Sequence, residues 1–493
     1  MTANARAIVS ALLWIACTAV FAEQVAGVVR VTGTPISGND FPAFYCAGQA
    51  IAQHQDPYTV EPLRTCEHAL PHGSDLPARY VTPAPLPPYA LDVFALLAQL
   101  PYRLAAWLWF GLLTAACAWL AFTIARVTRL PSGAIACALL LSAALASALS
   151  GQIPPLAALA IALCGAALLS GDDALAAICA AGATIEPHVG LATALALFFF
   201  RPRTRGWLIG AGLAFAGLSI LAVTPHGVLE YFASVLPAQA RAELLSADQF
   251  SLSHVLARVG FADRVAMLGG SASYVAMLAL GLAAARAAER RLDAAAIAYV
   301  PAAAALFGGV FVHEIQLVAA LPAAFLVIAR GSPAFAWFGR LLVAAVAAVP
   351  FTVAAEHRPI VDALALFCAS GALVATVPFD EPIDFATALG AFVLSAACVA
   401  LPLLAQRVTL PAPTSIAAPA TLPRSNDAGD NWGAYLRSDP RYSALHPDAE
   451  VAKLPVWLGL GALILAAFGL GRSRQGPMTQ PAWDPRPRIH VSP

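Results

Sequence analysis

A carboxylate and two imidazoles are the groups in this chain best suited to move protons, and each stands at an interruption of an apolar run. Asp40 lies in Ser37-Gly38-Asn39-Asp40-Phe41-Pro42-Ala43-Phe44-Tyr45. Gly38 permits a turn, and Phe41, Phe44 and Tyr45 suit a helix lying at a membrane–water boundary. A carboxylate held in such a partly desolvated cleft can serve as a general base, and the same residue also reads as a helix N-cap accepting backbone N–H bonds. His313 and Glu314 close another apolar run, and Gln316 opens the next. An imidazole there can donate to a phosphate oxygen or simply face interfacial water. Glu186-Pro187-His188 divides two apolar stretches, each reaching only ~18 Å as a helix. The acid and the imidazole therefore fall at an apex inside the membrane, where they line a cavity or pair with each other to support a broken helix.

Other groups carry weaker chemistry. Asp56-Pro57-Tyr58 is turn chemistry, and Asp172-Asp173 reads as a solvated cytoplasmic turn and not as a metal pair. His68 and His72 have Pro71 between them, and no His/Cys cluster has zinc spacing. The sequence demands no metal and no cofactor. Seven cysteines lie in apolar runs, where a thiol is a small hydrophobe. Cys46 and Cys66 lie in a polar stretch: they can form a disulfide if it faces an oxidising compartment, and are unrelated thiols otherwise.

The elements that must position these groups are membrane helices. Of 493 residues 60% are hydrophobic and 11% charged, with mean hydropathy +0.74. A soluble domain carries roughly 25% charged residues, so this chain cannot clothe a water-facing surface. Net charge is zero, which leaves no basic field for nucleic acid. The single lysine, Lys453, reads as compositional bias toward arginine. The expected fold is an all-α polytopic integral membrane protein with about fourteen membrane segments and a long first extracytoplasmic loop.

The first helix starts near Arg6 in the cytoplasm and runs on to Val29, so we read it as retained and not as a cleaved signal peptide. Residues 30–86 form the first outer loop, followed by an apolar stretch at 87–100 too short to span. Further spans are expected near 103–125, 131–149 and 153–169, the broken pair over 174–200, then 206–223, 265–285, 294–312, 316–329, 341–354, 360–377, 385–404 and 454–471. Arg126, Arg129, Arg201, Arg203, Arg205, Arg286, Arg290, Arg291, Arg330, Arg340, Arg472 and Arg474 then share the cytoplasmic side. Residues 224–264 form a second large outer loop. The transmembrane catalytic region is 1–404, a Pro-rich outer loop with Leu410-Pro411-Ala412-Pro413-Thr414 occupies 405–453, and 454–493 is a final helix and cytoplasmic tail. Both termini lie inside. No phosphate-binding glycine loop is present, so an energy-rich substrate arrives through the lipid phase.

Several of these motifs, taken in order, resemble glycosyltransferase family 87, membrane enzymes of the GT-C superfamily. Gly38 to Tyr45 with Ala47 and Asp56-Pro57-Tyr58 is similar to the family's first-loop signature. Pro87-Pro88, Pro101 to Ala105 and Trp107 to Trp109 resemble its second segment, and Gly151-Gln152 its next turn. Gln249-Phe250-Ser251-Leu252 resembles its outer-loop Asn/Gln-x-Ser-Leu, and His313 stands where the family has a histidine. The resemblance covers about residues 1–330. It implies a GT-C-like bundle in a bacterial cytoplasmic membrane that acts on the extracytoplasmic face. The implied donor is a polyprenyl-phosphate-linked sugar, typically mannose, and the acceptor a glycolipid or glycan, with inversion at the anomeric carbon. Asp40 is implied as the general base, His313 as a phosphate or acceptor contact, and Tyr45, Tyr58 and Gln152 as cavity-lining positions.

Two departures stand out. The family has Lys-Pro where this chain has Glu186-Pro187, so a cation suited to phosphate becomes an anion, with His188 as the local positive partner if protonated. After His313 the chain reads Glu314-Ile315-Gln316 where the family tends to carry an aspartate. A lipid-linked sugar flippase or transporter is the rival class, since it too would have many spans and a broken hairpin, and a family member that retains the fold without activity is a third reading.

Overall fold

A computed structural model of the chain describes residues 3–70, 76–353, 359–377, 382–405, 426–438 and 447–472. His72, the Pro-rich run at 410–414, Arg474 and the rest of the tail lie outside the described residues. Every described element is helical, and two isolated β-bridges, Thr59 to Asp427 and Gln249 to His313, are the sheet-like contacts among them. The helices are α1 (Ala3–Thr32), α2 (Asp40–Ala52), α3 (Val60–Ala69), α4 (Pro88–Leu97), α5 (Tyr102–Thr128), α6 (Ser132–Leu140), α7 (Ala143–Ser150), α8 (Pro154–Ser170), α9 (Asp173–Gly182), α10 (Pro187–Phe200) and α11 (Arg205–Glu230). They continue with α12 (Leu236–Ala242), α13 (Leu252–Arg258), α14 (Asp263–Glu289), α15 (Ala296–Gly308), α16 (Leu321–Arg330), α17 (Pro333–Val353), α18 (Pro359–Ala375), α19 (Phe385–Ala405), α20 (Ala428–Ser438) and α21 (Pro447–Arg472).

Among the described residues six helical stretches are long and apolar enough to cross a bilayer, or seven if α6 and α7, bent by 56° at Leu141–Ser142, count as one broken span. Most of the remaining apolar segments expected as crossings form helices of 10–17 residues, while α17 has 21. A 13-residue helix such as α15 rises only ~20 Å, so these pieces reach partway and hand the chain to irregular backbone inside the protein. The expected outer loop at 224–264 is largely helical. After a kink at Thr224 (φ +67°), where Pro225 starts a new first turn, α11 runs on through a π-turn (Tyr231–Val235) into α12. Trp107, Trp119 and Phe122 point outward from α5 while Trp109, Leu113 and Leu120 face the core. An outward apolar face of that size would be a liability in water and is the expected surface toward lipid.

The helices are oriented so that Arg201, Arg286 and Arg330 gather at the end away from Asp40 and His313, whereas Arg241 and Arg258 lie at the His313 end. α10, α14 and α16 each end near arginine, where Arg201 and Arg286 pair with Glu289, and Arg330 contacts Asp293 at 3.6 Å and donates to the Val127 carbonyl near the end of α5. The starts of α8 and α10, and the segment leading into α16, face the other way. Between α9 and α10 the chain turns through a short 3₁₀ segment at Ala183–Ile185. Gly190 permits this close return, because a Cβ there would lie 2.2 Å from the Ala183 backbone.

The last helix clamps the head of the bundle. Lys453, read from composition as incidental, is fully buried and donates to Glu450 (2.9 Å) and to Nε2 of His254 (2.8 Å), while Nδ1 of His254 contacts the Leu244 carbonyl at 3.0 Å. Removing one member of a buried charged network leaves the others uncompensated. Replacing Lys453 by Met should cost about 3 kcal/mol of stability, seen as a lower apparent Tm in detergent. A wild-type Tm in that variant would show that the network contributes nothing net.

Candidate active site

A cavity of about 980 Å³ opens at the end of the bundle away from Arg201, Arg286 and Arg330, and Asp40, Gln152, Glu186, His188 and His313 all line it. Two turns build the side that carries Asp40. Ser37 N–H donates to the Leu149 carbonyl (2.6 Å), and the Trp109 indole donates to the Gly151 carbonyl (2.7 Å). Gly151 adopts φ +77°, and a Cβ there would sit 2.7 Å from the Phe41 Cβ, so only glycine lets this turn close on α2. The close approach brings the Gln152 amide to the Asp40 carboxyl. Asn39, and not Asp40, occupies the N-cap position of α2, and it makes no side-chain capping bond. Burial pushes the Asp40 carboxyl up to about 6; Gln152 opposes the rise, the Glu243 and Asp248 carboxylates add to it, and His313 opposes it.

Opposite Asp40, two extended segments pair through their backbones. Phe250 N–H donates to the Val312 carbonyl (2.7 Å), Glu314 N–H to the Asp248 carbonyl (3.1 Å), and the Gln249 side chain accepts from Val312 N–H (3.1 Å). The Gln249–Leu252 motif is thus the mount for His313, and Ser251 caps α13 by accepting from His254 N–H. Nε2 of His313 contacts Glu243 in a short hydrogen bond. Glu243 accepts in turn from the Trp432 indole (2.8 Å) and the Gln239 amide (2.6 Å). Nδ1 of His313 faces Glu314 Oε2 at 3.7 Å. Burial opposes a charge on His313, but the adjacent Glu243 and Glu314 carboxylates outweigh it and hold the imidazole well above the usual histidine range. Burial, with the Asp248 charge beside it, pushes Glu314 up to about 7.

The hairpin tip joins the same wall. Gln316 donates to Glu186 (2.9 Å) and accepts from His313 N–H (3.0 Å), so one amide ties the acid of the broken hairpin to the histidine segment. The His188 carbonyl accepts from the Tyr274 hydroxyl (2.6 Å), and His188 Nε2 is buried without a hydrogen-bond partner. Glu186 and His188 therefore do not form the self-contained pair that would serve only to brace a broken helix.

Tyr45 and Tyr58 do not line the cavity. Their hydroxyls are committed to carbonyls, Tyr45 to Leu100 (2.8 Å) and Tyr58 to Leu86 (2.8 Å), and both rings are buried in the packing of the outer segments. Asp56 accepts from Tyr58 N–H (2.9 Å) as turn chemistry predicts, and Asp172 accepts from Leu175 N–H (2.9 Å) at the start of α9. Cys46 and Cys66 form a disulfide joining α2 to α3. Several lining residues escaped the sequence reading, among them Glu243, Asp248, Trp432 and Asp362. The first two lie in the segment taken for a loop, and Trp432 sits on α20, whose start bonds back to Tyr58 and Val60.

Residues 86–314 match the sequence model of Glycosyltransferase family 87. That match assigns the region to glycosyltransferase family 87. No curated protein and no solved structure gives a match. The family 87 region contains Gln152, Glu186, His188, Glu243, Asp248 and His313, and it indicates a membrane glycosyltransferase. It begins after the first-loop motif, so Asp40 joins the family 87 residues through the geometry of the cavity and not through the match.

The raised proton affinity of Asp40 has a stability consequence with a definite sign. A carboxyl whose folded value lies above its unfolded value of 3.8 weakens folding as pH rises between the two, and the penalty is full above about 6. Asp40→Asn should therefore raise Tm at about pH 7.5, with the gain fading toward about pH 4. A Tm that falls across this whole range would mean that the carboxylate is a structural anchor.

Proposed function

We propose that the protein transfers a sugar, mannose in the simplest case, from a polyprenyl-phosphate carrier to a glycolipid or glycan acceptor on the extracytoplasmic face, with inversion. The observation that carries this reading is the one cavity in which Asp40 and Gln152 face the His313–Glu243 pair, at the end of the bundle opposite Arg201, Arg286 and Arg330. Arginine-rich short loops mark the cytoplasmic side, so the cavity opens on the other one. Beside it lie helices too short to span, which suits a substrate whose tail stays in lipid while its phosphate and sugar enter the protein.

In the proposed step Asp40 accepts the proton of the acceptor hydroxyl. The acceptor oxygen forms a bond to the anomeric carbon as the bond from that carbon to the phosphate oxygen breaks, and the polyprenyl phosphate leaves with the electron pair. Phosphate is a good leaving group, so one carboxylate base suffices. Polar groups fixed before the reaction, among them the His313 segment, stabilise the charge that collects on the departing phosphate. Glu186 and His188 face the same space and are assigned to sugar or acceptor hydroxyls, since a carboxylate there suits a hydroxyl better than a phosphate.

The test is to incubate purified protein with radiolabelled polyprenyl-phosphate-mannose and a membrane glycolipid extract. Wild type should yield labelled product, and Asp40→Asn should lower the rate by about 10²–10⁴-fold. The wild-type rate should fall on acidification through about pH 6, where Asp40 takes up its proton, and Gln152→Leu should move that limb to higher pH. Equal labelling by wild type and Asp40→Asn would remove Asp40 from the mechanism. Translocation of the sugar lipid without product would favour a flippase.

A further inference from the structure

We propose that Asp248, His313 and Glu314 form a binding site for a divalent metal ion of the Mn²⁺ class on the cavity wall. One donor atom from each of the three residues lies within 4.8 Å of the others. Ligands on opposite sides of an ion bound at about 2.1 Å stand ~4.2 Å apart, so closure around an ion asks only small side-chain movements. A nitrogen with two carboxylates is a donor set that suits Mn²⁺, which accepts both imidazole and oxygen.

Four features make this more than a cluster of acids. The backbone is built first: the bonds between 248–250 and 312–314 hold Asp248 beside Glu314 before any ion arrives. The imidazole is already turned, because Nε2 is engaged by Glu243 and Nδ1 is left facing Glu314 at a distance too long for a hydrogen bond. A carboxylate on the far nitrogen of an imidazole is the arrangement that fixes the tautomer and orientation of metal-bound histidines, and Glu243 is itself held by Trp432 and Gln239. Third, Glu314 is 7% exposed and its Oε2, which points at the site, has no hydrogen-bond partner. A buried carboxylate oxygen with no hydrogen bond, whose nearest cationic group is the His313 ring nitrogen at 3.7 Å, is costly beside a second carboxylate, and a bound dication would offset that cost. Fourth, Asp40, Glu186, Glu243, Asp248 and Glu314 line the cavity, and among the described residues neither arginine nor lysine does.

The use of the ion rests on the transferase reading, in which a phosphate must enter this acidic space; the binding of the ion does not. The rival account is that His313 stays protonated and is itself the only cation there. The full-length protein in detergent, stripped with a chelator, should therefore be titrated with Mn²⁺ and the free ion followed by its electron paramagnetic resonance signal. The site predicts one saturable Mn²⁺ per chain, weakened by at least about tenfold in Asp248→Asn and in Glu314→Gln and unchanged in Glu61→Gln, an exposed acid on α3. No saturable binding to wild type, or binding retained in both site variants, overturns the proposal. Sugar transfer that continues without bound Mn²⁺ would leave the transferase reading standing and remove the metal. Mn²⁺ binding without transfer would do the reverse.

Discussion

The cavity depends on a short piece of backbone pairing. Residues 248–250 and 312–314 lie side by side as extended chain at the head of a helical bundle, and their main-chain bonds bring Asp248, His313 and Glu314 into one group. Extended backbone in an apolar setting persists only if its N–H and C=O groups find partners, and here each segment supplies them to the other. The last helix secures the arrangement from behind. Trp457 donates to the Phe250 carbonyl (2.9 Å), and the buried Lys453–Glu450–His254 network locks α13 against α21. A helix near the end of the chain thus helps to fix the histidine that faces Asp40 across the cavity.

The same economy governs the rest of the bundle. Short helices that stop inside the protein leave room for polar groups at depth, and their free ends are satisfied by side chains. Gln316 joins Glu186 to the His313 backbone, Tyr274 holds the His188 carbonyl, and Tyr89 meets Thr184 at the hairpin tip (3.0 Å). α10 rises ~21 Å from Pro187 to Phe200, so the Glu186–His188 tip sits well above the arginine end and within the thickness of a bilayer. On the proposed reading, this depth lets a lipid-borne phosphate reach the acids without leaving the membrane.

Much of this was legible in the sequence, and the reasons it stopped are physical. Low charge and long apolar runs specify a helical membrane protein, and the two-half length argument over 174–200 locates a buried Glu186–His188 tip. Interrupted apolar runs mark Asp40 and His313, and the structure brings both to one cavity. The number of crossings was not legible, because hydropathy does not distinguish a helix that spans from one that stops halfway and packs on its neighbours. Glu243 and Trp432 could not be paired from sequence, since 189 residues separate them and nothing periodic connects them. Asp248 was hidden in a segment read as loop, which the structure shows to be largely helical beyond the kink at Thr224 and Pro225. Tyr45 and Tyr58 failed in the opposite sense: the family resemblance implied a lining, but a buried phenol must satisfy its hydroxyl, and the acceptors it found were carbonyls away from the cavity.

The claim on which the account turns is that the cavity between Asp40 and His313 receives the phosphate of a polyprenyl carrier. A cryo-electron microscopy map of the protein in nanodiscs loaded with polyprenyl phosphate tests it most directly. The account predicts phosphate density in that cavity, within reach of the His313 segment, with the isoprenoid chain leaving between helices into lipid. Density for the phosphate at the arginine end of the bundle, with the cavity filled only by water, would contradict it.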